Sequence, residues 1–322
     1  METVNCNLCG SDRYRFVYEM PDRKFFREDF FNIVECERCG LGFVNPRPTL
    51  SEIQKHYPAK YYQNPPTRSH EQYLDRRFSA EAEFLKPLEN GAGRRRLLDV
   101  GCGNGEFPRF MMARGGWEVE GVEIAEASQP ILDFHVYTQE FDKIPVHEPC
   151  YDAVTAWAVM EHVHDPMAYF QKAGEVVKKG GLFVLLVQNF ESVASRYLFC
   201  EDVPRHLYFF TRGAIKQYFE KTGFALEKEV NGRKIYKLAP YNWLGFMMRT
   251  RLLGKKYEYR DTPMTSKEFR SVRNLRPGLL TALKYAAYSP TMVLDRMLWP
   301  LIETAQILRK AYGISTFVGR KL

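Results

Sequence analysis

Short apolar segments alternate with helical segments between residues 96 and 230, and this alternation constrains the fold more than any other feature of the sequence. Residues 97–100 are mostly apolar, and residues 106–114 follow with helical spacing. Residues 182–187 are continuously apolar, as expected for a central strand buried on both faces. The pattern predicts an α/β fold with a mostly parallel sheet and helices on both faces.

Composition divides the 322 residues into four parts. Residues 1–48 hold two cysteine pairs and many aromatic residues, and residues 49–93 predict a helical linker region. Residues 94–240 carry the alternation of strands and helices. Residues 241–322 are basic and predict short helices, followed by a final strand near residues 315–318 that returns to the sheet.

Two cysteine pairs lie near the start of the chain, Cys6 with Cys9 and Cys36 with Cys39, and a glycine follows each pair. Two thiolates at this spacing can bind one zinc ion, and two such pairs complete a closed tetrahedral site. A closed site stabilises a small fold and performs no chemistry. We therefore expect structural zinc; the alternatives are four reduced thiols without metal or, less favoured, a redox pair.

A glycine-rich loop follows the first strand of the α/β region. It reads Asp99-Val100-Gly101-Cys102-Gly103-Asn104-Gly105. Glycines allow a ligand to approach the backbone, and a helix N-terminus offers unpaired N–H groups. Glu123 closes the second strand, at the position where an acidic side chain binds ribose hydroxyls in nucleotide-binding α/β folds. The carboxylate of Asp99 is placed to meet an ammonium group of the ligand.

With the Glu161-His162 pair and the later Gly180-Gly181 turn, residues 96–235 resemble the class I S-adenosylmethionine (SAM) methyltransferases. The resemblance implies a Rossmann-like sheet with helices on both faces, joined here to a small zinc-ribbon-like module and a helical C-terminal extension. It also implies a set of residues that bind the methyl donor SAM: Asp99, Gly101, Cys102, Gly103, Gly105, Glu123, Glu140 and Trp157. For Trp157, packing in the core is the alternative.

The N-terminal part also resembles a family. The cysteine pairs, the segment at residues 40–49 and the tyrosine-rich stretch at residues 57–62 resemble a bacterial subgroup of zinc-containing SAM methyltransferases. That subgroup often accompanies sugar, polysaccharide and natural-product functions. The resemblance implies a small-molecule or glycan acceptor that is methylated at a sugar hydroxyl or carbon.

Two histidines are candidates for a general base, which a hydroxyl acceptor requires and which histidine supplies near neutral pH. His162 follows the fourth strand at the carboxyl edge of the sheet, where ligands bind. His206 lies in a Pro-Arg-His loop, and similar methyltransferases place such a loop over the acceptor. We expect Asp202 and Arg205 to bind the acceptor beside it. The alternative for both histidines is a role in anchoring their loops.

The Glu161-His162 pair is also similar to a loop of quinone-pathway O-methyltransferases that can hold a divalent metal. Those enzymes carry a further glutamate three residues before the pair, where this chain has Ala158. This departure argues against a catalytic metal.

Charge is distributed unevenly along the chain. The net charge is +7, whereas residues 240–322 contain 15 Lys/Arg and 5 Asp/Glu. Basic and apolar residues combine at 279–312, which predicts helices that pack on the main domain, form a homodimer interface or contact a membrane surface. The N-terminus has no secretory pattern, so we expect a cytoplasmic protein.

Two other functions remain open at this point. An RNA methyltransferase would use the cysteine module and the basic C-terminal region to bind phosphates. Residues 1–45 carry no concentrated positive charge, so nucleic acid is the less favoured partner. The second alternative is a SAM-binding scaffold without turnover.

Overall fold

The computed structural model of the protein describes residues 1–22, 29–57, 68–89, 93–124, 133–192, 195–196, 202–235, 294 and 297–322. The strands there are β1 (Tyr14–Pro21), β2 (Phe30–Cys36), β3 (Gly42–Val44), β4 (Arg95–Val100), β5 (Trp117–Val122), β6 (Val136–Tyr137), β7 (Tyr151–Trp157), β8 (Val177–Gln188), β9 (Tyr208–Phe209), β10 (Phe224–Asn231) and β11 (Ile314–Lys321). The α-helices are α1 (Leu50–Ile53), α2 (Arg68–Ala82), α3 (Glu106–Arg114), α4 (Pro166–Val176) and α5 (Arg212–Lys221), and residues 297–308 are also helical.

A seven-stranded sheet forms the centre of the molecule, in the order β10-β11-β8-β7-β4-β5-β6. The strands from β6 to β8 in this order run parallel, and β11 is antiparallel to both of its neighbours. The strand order reverses between β4 and β7, and ligands of open α/β sheets bind at such a reversal, beyond the carboxyl ends of the strands. The fold thus confirms the predicted α/β architecture with a Rossmann-like sheet.

Apolar side chains cover both faces of this sheet. Leu97 and Leu98 are adjacent in β4 and belong to different clusters, because successive side chains in a strand point to opposite faces. On one face the core includes Phe170 of α4 and Phe219 of α5, and on the other it includes Phe107 of α3. Helices therefore pack on both faces, as predicted from the continuous apolar run in β8.

Local sequence signals start the two helices on the first of these faces. The side chain of Asp165 accepts a hydrogen bond from the Ala168 N–H at 3.1 Å, and Pro166 occupies the first position of α4. Thr211 caps α5 in the same way, through the Ala214 N–H at 3.2 Å. These caps fix where both helices begin beside the carboxyl edge of the sheet.

A second, four-stranded sheet contains the N-terminal strands in the order β1-β2-β3-β9. Its last strand comes from the α/β part of the chain, and Phe43 pairs there with Tyr208. Cys6, Leu8 and Phe43 belong to the same hydrophobic cluster as Leu98 and Phe170. The N-terminal module and the central domain therefore share both a sheet and a core.

Several elements predicted from the sequence can be compared directly with the observed strands and helices. Gly180 and Gly181 lie inside β8, which begins directly after α4, so they are not a turn before that strand. Residues 315–318 lie within β11. Most of the C-terminal extension, for which short helices are predicted, lies outside the described residues. Within the described residues, no helix combines the length and apolar character needed to cross a bilayer.

Candidate active site

The glycine-rich loop lies at the carboxyl end of β4, beside the point where the strand order reverses. Gly101, Gly103 and Gly105 all have positive φ, at 71°, 54° and 73°. The Gly101 and Cys102 N–H groups donate to the Val122 carbonyl at 2.8 and 3.1 Å, which holds the start of the loop against the end of β5. The loop then turns into the N-terminus of α3, whose first N–H groups are available to a ligand.

Glu123 holds this loop from the end of β5. Its Oε2 accepts a hydrogen bond from the Gly103 N–H at 2.9 Å. The side chain of Cys102 is buried, and its Sγ lies 2.6 Å from the position that a Cβ on Gly121 would occupy. Cys102 can therefore line the loop only through its backbone, whereas Glu123 contacts the loop through its carboxylate.

Asp99 is buried at the end of β4 and accepts a hydrogen bond from Thr155 Oγ1 at 2.6 Å. Burial raises the pKa of Asp99 to about 8, and the hydrogen bond from Thr155 only partly opposes this. The negative charge of Glu81 raises that pKa further. Burial likewise raises the pKa of Glu81 to about 7, although Arg77 contacts its Oε1 at 2.7 Å. A cationic ligand group would stabilise both carboxylates.

Trp157 and Glu140 occupy different surroundings from the glycine loop. Trp157 is 8% exposed and packs between Phe84 and Phe107, with ring centroids 6.3 and 5.4 Å away. Its position is thus in the core, the alternative that the sequence had left open. Glu140 lies beyond β6 and forms an ion pair with Lys143. Its role toward the donor stays a prediction.

The loop after β7 connects the donor side of the site to a second cluster. It begins at Ala158, which has a φ of 59°, a backbone conformation that non-glycine residues rarely adopt. The next residue, Val159, packs so closely on Gly101 that a Cβ there would lie 2.5 Å from Val159 Cγ2. The backbone of the loop is thereby fixed directly beside the glycine loop.

Glu161, His162 and His206 converge at this edge of the sheet. The imidazole rings of His162 and His206 lie 4.6 Å apart, and Glu161 is 2% exposed. The Leu207 N–H donates to the Glu161 carbonyl at 2.7 Å, so the two loops are held together through their backbones. Both candidate bases thus lie in one cluster, although they are distant in sequence.

Arg205 differs from its predicted role. Its side chain is fully buried, with Nη2 2.8 Å from Asp22 Oδ1 and Nε 2.9 Å from Asp202 Oδ1. Its Nη1 also donates to the His56 carbonyl at 3.1 Å. A guanidinium in this position cannot face an acceptor, because it is buried against three segments of the protein. The structure corrects the prediction for Arg205 to a positioning role, and Asp202 is its ion-pair partner.

The four N-terminal cysteines also converge. Cys6 Sγ lies 3.4 Å from Cys39 Sγ, and Cys9 Sγ lies 3.5 Å from Cys36 Sγ. All four sulfur atoms lie within 4.8 Å of one another. The Cys39 thiol beside Cys6 lowers the pKa of Cys6 to about 5. Four sulfur donors this close match the ligand set of tetrahedral zinc.

Three residues near the site were not predicted from the sequence: Glu81, Tyr57 and Gln188. Glu81 shares the apolar face of α2 with Leu74 and Phe78, and a carboxylate on such a face is a sequence signal for a functional role. Tyr57 Oη lies 3.2 Å from His162 Nδ1, and Gln188 Oε1 lies 3.1 Å from His206 Nδ1. No local pattern pointed to these two contacts, because each joins distant segments.

Comparison with known proteins agrees with this geometry. Residues 70–229 match the family model described as a methyltransferase domain. A ubiquinone biosynthesis O-methyltransferase of Bordetella avium (strain 197N) is 34% identical over 137 residues, which are 39% of this chain and 56% of that enzyme. The enzyme of the same name from Alkalilimnicola ehrlichii is 36% identical over 117 residues, 33% of this chain and 47% of the relative.

The chain spans about half the length of these relatives. A solved structure of a SAM-dependent methyltransferase from Archaeoglobus fulgidus has a TM-score of 0.46 and 17% identity, and the match covers 76% of this chain and 94% of that one. Residues 70–229 include the glycine loop, Glu123 and the three-residue cluster. The match therefore identifies residues 70–229 of the chain as a methyltransferase domain.

Proposed function

We propose that the protein transfers a methyl group from SAM to a hydroxyl oxygen of a small-molecule acceptor. The observation that carries this proposal is the contact between Gly101 and Val159, because it joins the donor loop to the loop that bears Glu161 and His162. Donor and acceptor sites must be adjacent for an in-line transfer, since the enzyme acts largely by positioning the reactants.

The donor loop fits SAM in shape and in charge. A Cβ on Gly103 would meet no atom within 4 Å, so the backbone of the loop is open to a ligand at that residue. Glu123 is held at the position where an acidic residue binds ribose hydroxyls. An ammonium group of the ligand would stabilise the buried carboxylates of Asp99 and Glu81 in their charged form. Glu81 Oε2 has no hydrogen-bond partner among the described residues.

His206 is the favoured base. Its Nδ1 lies 3.1 Å from the amide oxygen of Gln188, which can only accept, so Nδ1 carries the proton and Nε2 carries a lone pair. When bound, SAM supplies a sulfonium methyl group: the acceptor oxygen forms a bond to that carbon while the electrons of the C–S bond return to sulfur. The proton of the acceptor hydroxyl passes to Nε2 of His206.

Two observations bear on the chemical class of the acceptor, and they favour different acceptors. The cysteine module resembles that of zinc-containing enzymes of sugar and natural-product functions, which favours a sugar hydroxyl. The relatives named as ubiquinone biosynthesis O-methyltransferases favour a phenolic hydroxyl as the second candidate. We also propose that the four cysteines bind one structural zinc ion, on the strength of their mutual distances.

The experiment is a transfer assay with SAM against sugar nucleotides, glycans and catechols, read by mass spectrometry as the replacement of one hydrogen by methyl. We expect His206→Ala to reduce turnover by about 10²–10⁴-fold with donor affinity retained. His135→Ala is the matched control, because His135 is exposed and contacts Tyr137 instead of the cluster. Normal turnover by His206→Ala would remove His206 from the mechanism. Methylation of RNA instead, or of no acceptor in the panel, would contradict the proposed acceptor class.

A further inference from the structure

A buried network of charged side chains joins the N-terminal module to the loop that carries His206. Asp22, His56 and Arg205 are each at most 1% exposed. Arg205 Nη2 lies 2.8 Å from Asp22 Oδ1 and Nη1 lies 3.1 Å from Asp22 Oδ2, which is the bidentate geometry of a strong arginine–carboxylate pair. His56 Nδ1 lies 3.0 Å from Asp22 Oδ2. One carboxylate, directly after β1, therefore binds two segments that are distant from it in sequence.

Stability alone does not account for this network, because apolar residues in place of a buried ion pair are often no less stable. The place of Arg205 in its loop indicates another role. Arg205 immediately precedes His206, whose N–H donates to the Asp202 carbonyl at 2.9 Å. Its Nε also donates to the carboxylate of Asp202 at 2.9 Å. Asp22 thus fixes the turn from Asp202 to His206 by holding the guanidinium at its centre.

The backbone of Arg205 contacts the other histidine of the acceptor-side cluster. His162 Nδ1 lies 3.0 Å from the Arg205 carbonyl oxygen. A carbonyl can only accept, so this hydrogen bond requires a proton on Nδ1 and leaves the lone pair on Nε2. The His162 ring lies 4.6 Å from the ring of His206. The position of the Arg205 carbonyl therefore decides which nitrogen of His162 can accept a proton or a hydrogen bond.

Tyr57 favours the opposite tautomer of His162. Its Oη lies 3.2 Å from the same Nδ1, and a phenol can donate as well as accept. The hydrogen bond made by one ring nitrogen of a histidine sets which nitrogen carries the proton. If the Arg205 carbonyl moved away, Tyr57 would donate to Nδ1 and the proton of the ring would reside on Nε2. The two neighbours of Nδ1 thus compete for the tautomer.

We propose that Asp22 is a positioning residue that selects the tautomer of His162. By binding both terminal nitrogens of Arg205, Asp22 keeps the carbonyl of that residue on His162 Nδ1 and the lone pair on Nε2. The His56 carbonyl accepts from Arg205 Nη1 at 3.1 Å and supports the same position of the side chain. The N-terminal module thereby acts on the acceptor side of the site through a single carboxylate.

The consequence for methyl transfer rests on the proposed function, whereas the tautomer does not. With its lone pair on Nε2, His162 accepts a hydrogen bond from the acceptor beside His206, which takes the proton of the methylated hydroxyl. With the proton on Nε2, His162 presents a donor instead and the acceptor loses this alignment. The tautomer is measured without any acceptor, so failure of this inference is distinguishable from failure of methyl transfer.

The experiment is ¹⁵N NMR of the histidine rings in the full-length chain, with zinc present and with the demethylated donor S-adenosylhomocysteine (SAH) bound. Spectra are recorded in the alkaline range, where a histidine ring is ordinarily neutral. His162→Gln identifies the signals of His162 by their loss. We expect a protonated Nδ1 in the wild type and transfer of the proton to Nε2 in Asp22→Asn. Turnover by Asp22→Asn should fall by about 10²-fold, because the acceptor is misaligned.

Two further variants test the competition for Nδ1. Tyr57→Phe should keep the proton on Nδ1, because the Arg205 carbonyl remains in place. The double variant Asp22→Asn/Tyr57→Phe should keep more of it there than Asp22→Asn does, because the competing donor is gone. Asp12→Asn is the matched control, since Asp12 is an exposed carboxylate of the same module and should leave the tautomer unchanged.

Unchanged SAH affinity shows that a variant is folded. If Asp22→Asn does not fold, Arg205→Lys takes its place, because lysine keeps the positive charge but lacks the planar fork that binds both oxygens of Asp22. It should move the proton in the same direction. The proposal is overturned by a folded Asp22→Asn or Arg205→Lys with the wild-type tautomer, by a wild type protonated on Nε2, or by loss of the Nδ1 proton in Tyr57→Phe. Normal turnover with an altered tautomer would remove His162 from the transfer step.

Discussion

The donor loop and the acceptor-side cluster are built in opposite ways. The donor loop is a contiguous stretch from Asp99 to Gly105, completed by Glu123 at the end of the neighbouring strand. The acceptor-side cluster draws its residues from two loops, and its supporting contacts come from Tyr57, from β3 and from β8. The first is set by local sequence, and the second depends on tertiary contacts.

This difference predicts that the two halves of the site respond to different changes. A change in the N-terminal module should disturb the acceptor side, because β9 directly follows His206 and pairs with β3. A change inside the glycine loop should disturb donor binding and leave the cluster intact. Two experiments test this division, and a third tests the protonation of Asp99.

The largest effect is expected from loss of the metal ligands. Cys36→Ser removes one of four sulfur atoms in a cluster that shares the main core. Loss of a structural metal is among the few changes that cost more than about 4–5 kcal/mol of unfolding free energy. We expect a loss of that size, together with loss of bound zinc, measured by denaturant unfolding and elemental analysis.

Cys150→Ser is the matched control, because Cys150 is a free, partly buried cysteine outside the cluster. It should retain zinc and most of the stability. Under conditions where Cys36→Ser is still folded, its SAH affinity should remain near that of the wild type while turnover falls. Parallel loss of SAH binding and turnover would contradict the division between the two halves.

A smaller and more local effect is expected from Gly101→Ala. A Cβ at this position lies 2.5 Å from Val159 Cγ2, and the φ of 71° is strained for alanine. We expect SAH affinity to fall about 100-fold, or about 2.7 kcal/mol, measured by calorimetry.

Gly180→Ala tests whether strain alone explains the loss. Gly180 has a similar φ of 77°, but a Cβ there meets no atom within 4 Å. It should lower stability slightly and leave SAH affinity intact. Equal losses of affinity in both variants would show that the contact with Val159 has no special role.

The smallest effect is a pH dependence that arises from Asp99. Its pKa is raised by burial from 3.8 to about 8, so between these values the folded chain retains a proton that the unfolded chain releases. The stability contributed by the protonated form therefore declines as the pH rises toward 8. Asp99→Asn removes this titration, so its stability relative to the wild type should increase by about 1–3 kcal/mol between pH 5 and 8.

Urea unfolding of the donor-free protein at several pH values measures this difference. Asp133→Asn is the control, because the side chain of Asp133 is 62% exposed and should follow the wild-type profile. A constant difference between Asp99→Asn and the wild type across this range would show that Asp99 is ionised in the folded chain.

The sequence was sufficient for the features that local patterns encode. The glycine loop, Glu123 and the mostly parallel sheet follow from a contiguous motif and from the alternation of elements. Arg205 was misjudged because a polar loop residue is usually exposed, and only the partners Asp22 and Asp202 make its burial possible. The meeting of Glu161 with His206 was also not predictable, since it depends on two loops joined by backbone hydrogen bonds.

The pairing of Tyr208–Phe209 with β3 has a consequence for protein engineering. A chimaera that exchanges only the first 48 residues with those of a relative would join a foreign sheet to a native edge strand and mismatch their side chains. Recombination is expected to succeed only when the segment from Asp202 to Phe210 is transplanted with the module. The chimaera would then have the acceptor preference of the relative that supplied both segments.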